Sequence, residues 1–173
     1  MYVDIEKIET GIRRYQTIMC SIHSTDVSTD SEFQKFYNGF YRVRQQPQAF
    51  YACYYTFMEE NKYNSELTFE QVLNHLYTHT GKVHASFGSK LLATIRPNMP
   101  LWDKYVLQNL GLKMPGYYSK ENRIDAAINL YQQICTWYQS DEATELLSVF
   151  NRFFPQESIS DVKKIDFLLW QNR

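Results

Sequence analysis

A chain of 173 residues, 44% hydrophobic and 21% charged, has the apolar material to bury a core as a single domain over residues 1–173. Its net charge of −1, from 18 basic and 19 acidic side chains, argues against non-specific nucleic-acid binding, although one face can still carry a local basic patch. Cys20, Cys53 and Cys135 are far apart and odd in number, which excludes a disulfide scaffold or a Cys-x-x-Cys knuckle and reads as three buried thiols in a reducing cytoplasm.

Acidic Asp4 and Glu6 stand where a signal peptide would carry cations, and no apolar run approaches the roughly 18 residues a bilayer span needs. The sequence therefore reads as cytoplasmic, with no membrane partner. The periodicity is helical almost throughout. Ile5, Ile8, Ile12, Tyr15 and Met19 make the apolar face of a first helix. The Ser, Thr and Asp run 26–31 predicts a capping loop before a second helix carrying Phe33, Phe36, Tyr37, Phe40, Tyr41 and Val43. Pro47 suits the first turn of a third helix ending near Glu59, although 51–57 is aromatic enough to suit a strand as well.

Thr68 and Gln71 fit a capping box for a fourth helix that stops at Gly81. Further helices are expected over 86–95, from Pro100 to Gly111, and from about Ser119 to Tyr138, with a turn at 113–116. Asp141 is the expected cap of the next, which Pro155 ends, and Ser160 that of the last. The pattern predicts an all-α domain of about nine helices, too irregular in helix length for a simple four-helix bundle.

Chemistry concentrates first at Lys90 and Asp103. Gly88 is expected to turn the chain just before Lys90, and Asp103 follows Pro100 at the next helix start. An amine lowered in pKa by burial or by a helix N-terminus is a nucleophile, and a carboxylate at a helix start is favoured in its ionised form. Equally, the same residues serve as ordinary punctuation: a turn, a solvated lysine and a cap.

In order, Phe87-Gly88-Ser89-Lys90 and Pro100-Leu101-Trp102-Asp103-Lys104-Tyr105-Val106 with Leu110-Gly111 resemble elements of the helix-hairpin-helix DNA glycosylase superfamily. The likeness covers residues 80–112. Ser86 stands where the hairpin's first glycine would fall, and 13 positions separate Lys90 from Asp103 (103 − 90). The resemblance implies duplex DNA with a damaged base as partner, Lys90 attacking the sugar C1′ and Asp103 supporting the developing charge. It also implies DNA contacts from Ser86, Gly88 and Ser89, with Trp102 or the Tyr41–Arg42 region filling the gap left by a flipped base. The whole chain, through its ending at 160–167, is also similar to an uncharacterised family of small bacterial proteins, a likeness that carries no activity with it.

The second constellation is aromatic. Nine of the 22 residues from Phe36 to Phe57 carry rings, and Arg42 and Arg44 lie among them. Rings with arginines can stack an unpaired base and hold its phosphate, or simply build a core. His75 and His79 share one helix face at i, i+4, a spacing that either holds a metal, with His84 or Asp103 as third ligand, or marks two surface histidines. No Walker-type loop, Gly-x-Ser-x-Gly elbow or Cys–His nucleophile signature occurs, so the sequence names no cofactor. The alternative to a glycosylase-like enzyme is a non-enzymatic helical interaction module, with a protein partner or a second copy as a homodimer.

Overall fold

The computed structural model describes residues 3–113 and 120–170, which are helical and contain no strand. Nine helices occur among them: α1 (Ile5–Ser21), α2 (Ser31–Tyr41), α3 (Gln48–Asn61), α4 (Phe69–Thr80), α5 (Ala85–Ile95), α6 (Lys104–Asn109), α7 (Lys120–Trp137), α8 (Asp141–Phe153) and α9 (Asp161–Trp170). Two helices act as hubs. α4 packs on α3, α5 and α7, and α9 packs on α1, α6 and α8. No helix is long and apolar enough to cross a membrane.

Local chemistry explains most boundaries. Asp30 accepts hydrogen bonds from the backbone of Glu32 and Phe33, and Thr68 and Gln71 form the reciprocal capping box. Gly81 ends α4 at φ +69°, where a residue without Cβ is favoured. The segment 51–57 is helical, as part of α3. Tyr54 and Tyr55 are fully buried, whereas Tyr51, Cys53 and Phe57 pack at the rim.

Four expected boundaries move. α3 begins at Gln48, leaving Pro47 extended at the cap. α2 stops at Tyr41, because Arg42 takes a left-handed conformation that sends Val43 into the core outside the helix. The cap of α8 is Ser140, whose hydroxyl accepts from Ala143, and Asp141 is the first helical residue. The helix expected from Pro100 starts only at Lys104. The Tyr131 hydroxyl donates to the Pro100 carbonyl and the Trp102 N–H donates to Ser89, which hold 100–103 out of helix geometry. Of the expected turn at 113–116, residues 114–116 lie outside the described residues, as does the Ser119 start.

The core is a tyrosine-rich cluster in which Tyr37, Tyr54 and Tyr55 hydrogen-bond through their hydroxyls, whereas the buried Tyr41 hydroxyl has no hydrogen-bond partner among the described residues. The Tyr37 hydroxyl lies 3.1 Å from that of Tyr54 and 3.3 Å from that of Thr94. Tyr54 donates to the Phe87 carbonyl and Tyr55 to the Asn38 side chain. Burial raises the pKa of all three tyrosines far above the phenol range, so they stay neutral donors. These bonds pin α3 to α2 on one side and to α5 on the other. The thiols depart from expectation: Cys20 is exposed on the outer face of α1, and Cys53 and Cys135 are half-buried, all three free.

Candidate functional site

Lys90 and Asp103 do come together, and the reason lies one residue away from each. Ser89 is fully buried and accepts the Trp102 backbone N–H at 2.8 Å while donating to the Ser86 carbonyl. That bond fixes the extended 100–103 segment against α5 and sets Asp103 opposite Lys90, with 3.9 Å between carboxylate and ammonium. Asp103 also caps α6 by accepting the Tyr105 N–H at 3.0 Å. Lys90 is only 4% exposed, and its ammonium lies 5.5 Å from the centre of the Phe87 ring.

Gly88 is not a turn. It lies inside α5, where an added Cβ would meet Leu73 at 3.2 Å and Val72 at 3.3 Å, so its smallness lets α5 approach α4. Trp102 is 7% exposed and stacks on Phe69, which in turn stacks on Tyr131 at 3.9 Å. Ser86 is half-buried on the first turn of α5. Ser86, Gly88, Ser89 and Trp102 thus build the seam between α4, α5 and the α6 approach. None of the four grooves described for this molecule is lined by Lys90 or Asp103.

Arg42 and Arg44 stand elsewhere, at the C-terminal end of α2. Both are exposed, and Arg42 adopts φ +56°. Arg42 lines a groove of about 490 Å³ between α1 and α9, with Arg14, Phe40, Phe167 and Trp170. A second groove of about 580 Å³, between α1 and α2, is lined by Arg14, Phe33, Lys35 and Phe36. A third, of about 610 Å³, carries Lys35, Arg44 and Tyr51. The three share Arg14, Lys35 and Gly39 in pairs, so they wrap α2 as one surface. Arg14 spreads over the Phe36 and Phe40 rings at 5.5 and 5.7 Å. Sequence reading singled out Arg42 and Arg44 but missed Arg14 and Lys35, which a helical wheel places on the outward sides of α1 and α2.

His75 and His79 share a face of α4 as their spacing requires. The donor beside them is neither His84 nor Asp103 but Cys53, from α3. His84 instead packs against Phe50 and Phe87. Burial, then the nearby His79, lowers the pKa of His75, and burial pushes the Cys53 thiol up. Comparison with protein-family models, with curated proteins and with solved structures finds no match.

Proposed function

We propose that the chain is a non-enzymatic helical interaction module whose α2 surface docks an acidic, amphipathic segment of a protein partner. The observation that carries this reading is a set of four exposed cations, Arg14, Lys35, Arg42 and Arg44, around one helix. None has a carboxylate at ion-pair distance among the described residues. In a chain of net charge −1, gathering exposed like charges costs repulsion that an anionic occupant relieves. Two further features agree. Phe36 is 36% exposed beneath Arg14, which supplies an apolar contact beside the charge. Arg42 keeps a left-handed backbone that costs a non-glycine residue about 1 kcal/mol, the kind of strain that persists at binding surfaces. Asp4, Glu6, Asp30 and Glu32, which line the same grooves as the cations, disfavour an evenly charged phosphate rod, whereas a peptide can alternate carboxylates with apolar side chains.

The test is fluorescence anisotropy with a labelled helical peptide bearing glutamates on one side and leucines on the other. A duplex containing an abasic-site analogue and a single-stranded oligonucleotide run in parallel. Peptide binding should weaken with salt and fall about tenfold or more in Arg14→Glu/Arg42→Glu, since each exposed pair contributes up to about 1 kcal/mol and reversal adds repulsion. Sedimentation of the protein alone reads out a second copy as the occupant. Equal binding of wild type and the reversed variant discards the module reading.

A second reading rests on the convergence of Lys90 and Asp103 at 3.9 Å. In it the chain is a DNA glycosylase or lyase-like enzyme, with Lys90 as nucleophile and Asp103 as electrostatic partner. The closed seam around Lys90 must then open for a flipped sugar to reach the amine. Lesion-specific binding in the duplex arm, followed by borohydride trapping that Lys90→Ala abolishes, supports this reading against the first.

A further inference from the structure

Helices α3 and α4 pack together, and between them Cys53 meets His75 and His79. The Cys53 Sγ lies 3.3 Å from Nε2 of His75, and the three donor atoms all fall within 4.8 Å of one another. Both rings are held in orientation. Phe57 stacks on His75 with 4.0 Å between centroids, and the His79 ring lies 4.2 Å from that of His75. Nδ1 of His79 is 2.8 Å from the His75 carbonyl, which can only accept, so Nδ1 carries the hydrogen and Nε2 keeps its lone pair. A backbone carbonyl on the second ring nitrogen is the outer-shell arrangement that fixes metal-bound imidazoles.

The spacing suits a particular ion. Zinc bound tetrahedrally at about 2.3 Å from sulfur and about 2.05 Å from nitrogen separates the donors by about 3.6 Å (S to N) and about 3.4 Å (N to N). The Cys53–His75 pair stands near that distance, and His79, exposed at the end of α4, has room to close the remainder. One thiolate and two imidazoles match a borderline-soft transition metal rather than magnesium or calcium, which take oxygen donors. Glu60, one turn beyond Phe57 on α3, bears electrostatically on His75 and adds a neighbouring negative charge.

We propose that Cys53, His75 and His79 bind a divalent transition metal, zinc foremost, as three protein ligands with a fourth position open to water. On binding, the Cys53 S–H bond breaks, an S–Zn bond forms and the proton passes to solvent, with no change of oxidation state. The site shares no residue with the α2 surface or with Lys90 and Asp103, so it stands apart from the reading of function above. Its consequence is a metal clamp between two helices that are otherwise joined by packing.

The experiment titrates untagged protein, kept reduced without added thiol, first with cobalt and then with zinc in competition. The expected result is one equivalent of cobalt, a thiolate-to-metal charge-transfer band, its displacement by zinc, and release of one proton per ion. Cys20→Ser/Cys135→Ser should keep all of these. Cys53→Ser should lose the band, and His75→Gln and His79→Gln should each weaken binding at least about tenfold, with circular dichroism confirming the fold. Three results each overturn the proposal: no band at saturating cobalt in the variant that retains only Cys53, a band that survives Cys53→Ser, or histidine variants within twofold of wild type.

Discussion

Removing either partner of the Lys163–Asp166 ion pair should cost far more than removing both. The ammonium and carboxylate lie 3.0 Å apart on consecutive turns of α9, at 2% and 1% side-chain exposure. The second carboxylate oxygen of Asp166 accepts the Tyr138 hydroxyl, and the ammonium sits 5.1 Å from the Tyr15 ring centre and 5.9 Å from that of Tyr41. At an effective dielectric of about 20, charges at that separation attract by roughly 5.5 kcal/mol, and both have been taken out of water. Asp166→Asn leaves an unpaired ammonium among rings, and Lys163→Met leaves a buried carboxylate with one hydroxyl. Each single change should destabilise by about 3–5 kcal/mol. At 2–4 °C per kcal/mol for a chain of this size, the melting temperature falls by about 6–20 °C. The double variant carries no charge at this site, keeps the lysine stem as methionine and keeps an acceptor for Tyr138, so it should fall within about 2 kcal/mol of wild type. Urea unfolding of the four proteins, followed by tryptophan fluorescence, closes the cycle. A double variant as unstable as the sum of its parts, or a single costing under about 1 kcal/mol, refutes the assignment of these charges as a mutually dependent pair.

Arg42→Gly should stabilise the fold by about 0.5 kcal/mol in urea unfolding, as relief of left-handed strain outweighs glycine's greater unfolded-state entropy, while weakening acidic-peptide binding in the same preparation. Ser89→Ala leaves the buried Trp102 N–H without its acceptor and should cost about 1–3 kcal/mol, read by denaturant melts. Burial, then Lys82, lowers the pKa of half-buried His84 below its ordinary 6.5, so the native state favours its neutral form. Below pH 6.5 the unfolded chain takes up this proton first, and stability declines until the native pKa is passed. His84→Gln should flatten that decline, by at most about 1.4 kcal/mol per pH unit, in unfolding curves collected from pH 8 to 5.

The fold class is readable because helix periodicity and caps are local. Thr68 with Gln71, Gly81 and Ser160 announce their boundaries within four residues of chain, and the structure uses them so. What is not readable depends on partners far along the chain. Pro100 looks like a helix start until Ser89 and Tyr131, 13 and 31 residues from the atoms they bind, hold the segment extended. Gly88 looks like a turn until Val72 and Leu73 are found where its Cβ would be. The i, i+4 histidines were visible, but their third neighbour, Cys53, lies 22 residues before His75 and follows no spacing rule.

The α2 surface and the Cys53–His75–His79 cluster depend on the same piece of architecture. Tyr54 and Tyr55 face inward from α3 and bond to Tyr37 and Asn38 of α2, while Cys53, their neighbour in sequence, is turned toward α4. A tyrosine buried without a partner for its hydroxyl would cost about 1–3 kcal/mol, so each of these bonds removes an alternative rotation of α3. With that rotation fixed, Cys53 is turned toward His75, and α2 shows to solvent the side that carries Lys35, beside Arg14 of α1 and the Arg42 and Arg44 that follow it. The hydrogen-bonded tyrosines Tyr37, Tyr54 and Tyr55 therefore serve to orient the helices. Phenylalanines would fill nearly the same volume, but they would not specify which face of α2 and which face of α3 remain outside the core.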